Sequence, residues 1–435
     1  MKVKFYTNAA MEIVAGPHRI LCDPWFMPGG FDGSWWQWPP LFTKPEDLTE
    51  YTHIYISHIH TDHCDPRVLR RLPKKDVPVI ILKRSEQFLK NKIKSCGYNN
   101  FIEIEDRGTA DLDKDTSITM YAAFTPNIFV EATEVPNVID SSIVVRHKEE
   151  VVFNANDNVP DESSSKEIIS RHQKIDLALL PYSGVGPFPS SYENLTAEEK
   201  IKGASVKIKK YLDQLLKNSG ILKPRIIVPC AGQMILGGRQ APKNKTVGIP
   251  DPQAAVDLLT KNGFHSQLLE EGDWIDATTG KVEKSPRMNN TDKDEYIKKI
   301  AKEKYWWEKA FQIPPEEAIE LIPLLMKARQ NMWRFQEKYS FKADWLVSIT
   351  VEEFPDSTYS FSLAENGTIN KDLTAKLFAG EDKFLQVKIP YNYLIAILTR
   401  HCHWNNAYHG CQVEWYRKPD EYLPEIQTLL SYFHL

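Results

Sequence analysis

The chain opens with short apolar and alternating runs punctuated by turn residues. KVKFY, MEIVAG and HRILCDP read as strands, with Gly16 and Pro17 as turn residues between the last two. YTHIYIS, residues 51–57, is β-branched and aromatic and ends in polar loop residues, the pattern of a buried strand. DVPVIILK, SSIVVRH and EEVVFNAND repeat that character. Helical spacing enters in SVKIKKYLDQLLKNSG, where Ile208, Tyr211, Leu212, Leu215 and Leu216 share one face and Gly220 is placed to end the helix. The strand patterns KIDLALLPYSG and PRIIVPCAG flank it. Strands alternating with helices in this way predict a layered α/β architecture.

The polar, turn-rich stretch KVEKSPRMNNTDKDE, residues 281–295, marks a domain boundary, giving domains 1–285 and 286–435. Beyond it, PEEAIELIPLLMKARQNMWRFQEKY predicts a helix. Pro315 suits its first turn, and Glu316 and Glu317 suit the positive end of its dipole. DWLVSITVEE alternates Trp345, Val347, Ile349 and Val351. STYSFSLAENG alternates Tyr359, Phe361 and Leu363 and ends in Asn366-Gly367, a hairpin-turn dipeptide. The second domain is therefore expected to be a smaller α+β unit.

Composition narrows the class. The 435 residues are 42% hydrophobic and 26% charged, an ordinary globular mixture. Net charge is −4, from 54 basic and 58 acidic residues, which gives no electrostatic case for nucleic-acid binding. The N-terminal stretch lacks the pattern of a signal peptide, and no apolar run has the length of a membrane span. The six cysteines are scattered without a C-x-x-C pair and read as reduced thiols, so a cytoplasmic protein is expected.

The candidate chemistry sits in THIYISHIHTDHCDP, residues 52–66. His58 and His60, two apart in extended backbone, project the same way and can grip one ion together. Asp62 and His63 follow and can complete that ion's shell or hold a second. Imidazole with carboxylate suits zinc, iron or manganese. A solvent-exposed polar loop with incidental histidines would explain a lone H-x-H, but an H-x-H-x-D-H directly after a strand is far more specific.

SHIHTDH, with RILCDPWF upstream, resembles the signature of the metallo-β-lactamase fold, an αββα sandwich carrying one or two metals at a sheet edge. The blocks DPWFMPGGFDGSWWQWPP, YISHIHTDHCDPRVLRRL, VVFNANDNVP, LLPYSGVGPFP and KPRIIVPCAGQM, between about residues 20 and 235, are similar to the metallo-β-lactamase domain of CMP-N-acetylneuraminate hydroxylase and its bacterial relatives. RHCHWNNAYHGCQVEWYRKPDEY looks like the tail of the bacterial relatives. The resemblance implies that Asp23 lies beneath the metal loop and orients it, although by itself Asp23 is also a plain turn residue before Pro24. It implies that Asp157, in FNANDN, is a bridging carboxylate, where an Asn/Asp turn is the alternative. It implies zinc or iron, one or two ions, and Asp62 as the residue on which activity turns.

Two departures follow. No histidine lies between His63 and His147, and PCAGQMILGGRQ has none, so two histidines the fold usually supplies are absent. His147 reads as a hairpin residue. The hydroxylase also carries a Rieske iron–sulfur centre, which needs C-x-H and C-x-x-H motifs; neither occurs here. In HCHWNNAYHGC, residues 401–411, the polar side chains either close a helix end or reach the first domain's pocket, with His403, Asn405 and Asn406 as the reaching residues. Trp35, Trp36, Tyr182 and Phe188 are candidate pocket walls able to stack on a base or sugar. SGVG lacks the context of a phosphate loop.

Three functions stay open. One is a hydrolase acting through metal-activated water on a nucleotide-linked or acidic sugar-like small molecule. Another is an iron-dependent oxygenase needing a separate reductase. The last is a metal-stabilised binding module without catalysis.

Overall fold

The computed structural model describes residues 1–124, 140–287, 289–310, 321–373, 382–421 and 424–435. The expected helix start at Pro315 and most of the stretch preceding Asp140 lie outside them.

Period-2 alternation builds the N-terminal sheets. Val3, Phe5, Met11, Ile13, Ile20, Cys22, Ile80 and Leu82 point to one face of an eight-stranded sheet, while Tyr6, Leu21, Ile54, Val79 and Ile81 point to the other. The sheet order is Val282–Glu283, Trp274–Asp276, Lys2–Thr7, Ala10–Ala15, His18–Cys22, His53–Tyr55, Val79–Leu82 and Phe101–Ile104. A six-stranded sheet runs Ile226–Cys230, Leu177–Pro181, Glu150–Asn154, Ser141–His147, Thr116–Ala122 and Thr109–Asp111. Ile118, Met120, Ile143, Val145, Val152, Leu177 and Val228 of the second sheet share one buried cluster with the inner face of the first, so the sheets pack face to face.

Helices cover both outer faces. Pro66–Arg71 and Phe88–Lys94 bury Val68, Leu69, Leu89 and Ile93 against the first sheet. Glu162–His172, Ala197–Leu222 and Pro252–Lys261 bury Ile168, Leu215, Leu222, Ala255 and Leu259 against the second. This is the αββα sandwich that the resemblance implies.

Gly220 does not end its helix. The helix starts at a capping box between Thr196 and Glu199 and runs on to Leu222, with left-handed Lys223 closing it. Burying Leu222 in the core outweighs the roughly 1 kcal/mol that an interior glycine costs.

The second region is α+β. Its five-stranded sheet runs Asn370–Leu373, Ser357–Ser362, Leu346–Val351, Phe384–Ile389 and Glu414–Lys418. Trp345, Val347, Ile349, Val351, Tyr359, Phe361 and Leu363 face the helices Leu321–Lys338 and Tyr391–Leu398. Asn366-Gly367 does not make a tight turn. Ser360 pairs with Asn370, so the chain reverses through a wider loop that contains this dipeptide.

Candidate metal centre

The H-x-H-x-D-H loop is held at both ends. Upstream lies the strand His53–Tyr55, buried by pairing with His18–Cys22 and Val79–Leu82. Downstream the helix Pro66–Arg71 starts at Asp65, whose carboxylate accepts from Arg67 N–H at 2.8 Å. Within the loop, Cys64 N–H donates to His60 O at 2.7 Å.

The side chains converge. His58 Nε2 and His60 Nδ1 lie 2.8 Å apart, near the ~3.3 Å edge of a tetrahedron of about 2.0 Å metal–nitrogen bonds. His58, His60 and Asp140 form one group able to hold an ion, and His58, His63 and Asp157 a second, with the ligand atoms of each within 4.8 Å of one another. Asp62 stands beside them, its Oδ2 3.4 Å from His63 Nε2 and accepting from Asn8 Nδ2 at 3.3 Å. Three buried donor atoms have no hydrogen-bond partner among the described residues: His60 Nε2, Asp62 Oδ1 and His63 Nε2. Buried polar atoms are rarely left so. Such a cluster of orphaned nitrogen and oxygen ligands fits a divalent ion.

Asp23 underpins the loop. Its backbone is left-handed, at φ 40°, and its carboxylate accepts from Ser57 N–H at 2.8 Å, Ser57 Oγ–H at 2.7 Å and His63 Nδ1 at 2.9 Å. Asn156 Nδ2, in the loop carrying Asp157, donates to the same carboxylate. Ser57 Oγ in turn accepts from His58 Nδ1 at 2.9 Å. These bonds fix both rings from the Nδ1 side, with His63 Nε2 3.2 Å from Asp157 Oδ2 and His58 Nε2 facing His60.

Electrostatics separate the imidazoles. Burial opposes charge on His63, but Asp62, Asp157 and Asp23 outweigh it and hold its pKa well above the ordinary histidine value. Three carboxylates around one ring mark a place that attracts a cation. Burial and then His58 push His60 well below its ordinary value, into the neutral form that ligates. Burial raises Asp62, but His63 prevails and its pKa is lowered. His58, Asp62 and His63 are buried, whereas the side chains of Asp157 and Asp140 are 33% and 36% exposed. The imidazoles of His58 and His63 are therefore the deeper part of the cluster and the carboxylates of Asp140 and Asp157 the shallower part.

Asp140 was not among the residues singled out by motif. It opens the strand Ser141–His147 and is set in place when Ser141 Oγ donates to Ser57 O at 2.8 Å and Tyr55 O–H donates to Ser141 O at 2.9 Å. The one available signal was a lone acid before an apolar strand. His147 lies away from the centre, bonded to Thr116 Oγ1 at 2.9 Å.

The four aromatic residues do not share one pocket. Trp35 is wholly buried and donates to His409 O at 2.9 Å, and Trp36 donates to Gly33 O at 3.0 Å. Tyr182 is wholly buried in the outer core, and Phe188 is exposed beside Tyr192. Packing claims Trp35 and Tyr182 before a ligand can. A cavity of about 690 Å³ lined by Trp38, Met234, Ile249 and Asp251 contains none of them and none of the metal-centre residues. His403 is likewise no wall: it is exposed and caps the helix Trp404–His409, accepting from Asn405 N–H at 3.1 Å. The side chain of this segment that reaches the centre is His409, whose ring centroid lies 5.0 Å from that of His60.

Residues 18–202 match the family described as the β-lactamase superfamily domain. The chain is 26% identical over 357 residues to a Mycolicibacterium smegmatis protein carrying the name Rieske 2Fe-2S iron-sulfur protein, an alignment covering 76% of this chain and 67% of that one. It is 25% identical over 279 residues to the cytidine monophosphate-N-acetylneuraminic acid hydroxylase of Pongo pygmaeus, covering 60% of this chain and 44% of the hydroxylase, so it spans less than half of that relative's length. Among solved structures, the isothiocyanate hydrolase from Delia radicum gut bacteria superposes with a TM-score of 0.47 at 15% identity, over 63% of this chain and 99% of that one. Among the described residues no helix is long and apolar enough to cross a membrane.

Proposed function

We propose, from the premise that residues 18–202 form a β-lactamase superfamily domain in a metallo-β-lactamase fold, that this chain is a metal-dependent hydrolase of a small nucleotide-linked or acidic sugar-like molecule. The observation that carries it is the convergence of His58, His60, His63, Asp140 and Asp157 on one space, with buried donor atoms left unpartnered. Ions held there would polarise a bound substrate and bring a water near neutral pKa. The chain's own residues do the rest. Asp23 and Ser57 fix the ring orientations. Asp62 Oδ1, buried and unbonded, is placed to accept a proton inside the centre. The exposed carboxylates of Asp140 and Asp157 leave one side open for the substrate to enter.

A second reading has its own support. Each ligand group holds two imidazoles and one carboxylate, the set that non-haem iron oxygenases use with open positions. The named relatives are an iron–sulfur protein and a hydroxylase. All six cysteines are buried and none forms a Rieske motif, so the electrons for this chemistry would come from outside these 435 residues.

Metal analysis of protein purified without added metal or a histidine tag distinguishes them. Zinc, with turnover of phosphoesters or amides lost in Asp62→Ala while the fold is kept, supports hydrolysis. Iron with dioxygen consumption on adding a reductase supports the oxygenase. No metal after reconstitution overturns both and leaves a binding module.

A further inference from the structure

The segment 401–411 of the second domain is seated on the loop Phe31–Trp35 of the first. Tyr393 O–H donates to Asp32 Oδ2 at 2.9 Å, Asn406 Nδ2 to Asp32 Oδ1 at 3.1 Å, and Gln412 Nε2 to Phe31 O at 2.8 Å. Trp35 Nε1 donates to the carbonyl of His409 itself at 2.9 Å. Gly410 permits the close approach: a Cβ there would stand 2.8 Å from Ser34 Oγ and 2.9 Å from Phe31 O. With the backbone on either side pinned, the His409 ring is directed at the metal loop.

The His409 ring lies beside that of His60, next to but outside the two groups whose donor atoms already stand within 4.8 Å of one another. The His409 and His60 ring centroids are 5.0 Å apart, against 4.6 Å for His58 and His60 and 4.1 Å for His58 and His63. His409 Nδ1 is buried with no hydrogen-bond partner among the described residues, as is His60 Nε2. An imidazole nitrogen sealed from water and given no proton partner is unfavourable unless something else takes its lone pair. Packing alone would be served by any flat apolar ring here; it does not call for a buried nitrogen without a partner.

We propose that His409 is a ligand of the metal centre, carried to it by the C-terminal domain. The inference rests on the reading that the centre binds metal. It answers the shortage in the first domain, whose loop supplies three histidines and no more. An imidazole-seeking divalent ion, such as zinc, iron(II) or cobalt(II), is the group it would hold. The centre is then complete only while the two domains are docked through Asp32 and Gly410.

The test uses the full chain loaded with cobalt(II). Hyperfine-shifted proton NMR of the wild-type protein counts imidazole N–H signals of bound histidines. Four are expected with His409 bound; three, with the cobalt still held, overturn the inference. In His409→Ala, with circular dichroism unchanged, retained metal after dialysis should fall by about one equivalent or the affinity by tenfold or more. Gly410→Ala, which lifts the segment without removing the ring, should give a loss in the same direction. Unchanged metal content, affinity and cobalt absorption in His409→Ala would show the ring to be a packing element. Wild-type protein that takes up no cobalt overturns the metal-centre reading itself, a different result from either.

Discussion

Asp23 Oδ2 lies 2.9 Å from His63 Nδ1, and the same carboxylate accepts from Ser57 and from Asn156. One buried acid thus joins the end of the strand His18–Cys22, the metal loop and the loop of Asp157. Removing it leaves the ligands in place but frees their rings to rotate. Asp23→Ala should weaken metal binding by roughly 10–100-fold, read by competition with a chromophoric chelator. Affinity within twofold of wild type would show that the loop is oriented by other means.

Asp140 stands in one group with His58 and His60 that could share an ion. Asp140→Ala should retain about one metal equivalent fewer than wild type, and Asp140→His, which restores a donor, should recover it. Mass-spectrometric metal content decides this. Equal content in all three proteins would place Asp140 on the rim only.

His172 reports on folding rather than on the centre. Its Nε2 lies 2.8 Å from Tyr121 O–H, and burial, aided by Arg146 and Arg171, pushes its pKa down to about 4. The unfolded chain takes up a proton at about pH 6.5, which the folded chain refuses until about 4. The unfolded state then binds more protons, so this contribution is whole above about pH 6.5 and is lost as pH falls toward 4. Urea midpoints of metal-free protein at about pH 7 and about pH 5 should differ more in wild type than in His172→Gln. Identical pH dependence in the two would refute the assignment.

Arg329 is wholly buried in the helix Leu321–Lys338. It donates to Gln336 Oε1 at 2.9 Å and to the carbonyls of Ser362 and Glu365 at 2.9 and 2.8 Å. Burial alone pushes its pKa down to about 10. Arg329→Met keeps the stem and orphans those acceptors, each at about 1–3 kcal/mol. A loss of roughly 2–4 kcal/mol in chemical unfolding is expected. A loss below about 0.5 kcal/mol would mean that water replaces the guanidinium.

The sequence by itself determined what is local. Alternation placed Val3, Phe5, Ile80 and Leu82 on one sheet face because side chains in a strand repeat every two residues. The H-x-H spacing set His58 and His60 on the same side for the same reason, and Asp65 with Pro66 wrote the helix start that closes the loop. What lay beyond local spacing was decided by tertiary packing. Asp140 and His409 meet the loop only after two sheets and a second domain have come together, and no periodicity links such distant positions. Trp35 and Tyr182 looked like pocket walls because an aromatic ring suits a core and a ligand face equally; burial claimed both. The choice between His403 and His409 turned on the helix Trp404–His409, whose first residue is capped by one and whose last turn aims the other. Residue type states which chemistry is available, and only the packed chain states which donor atoms share a space small enough for one ion.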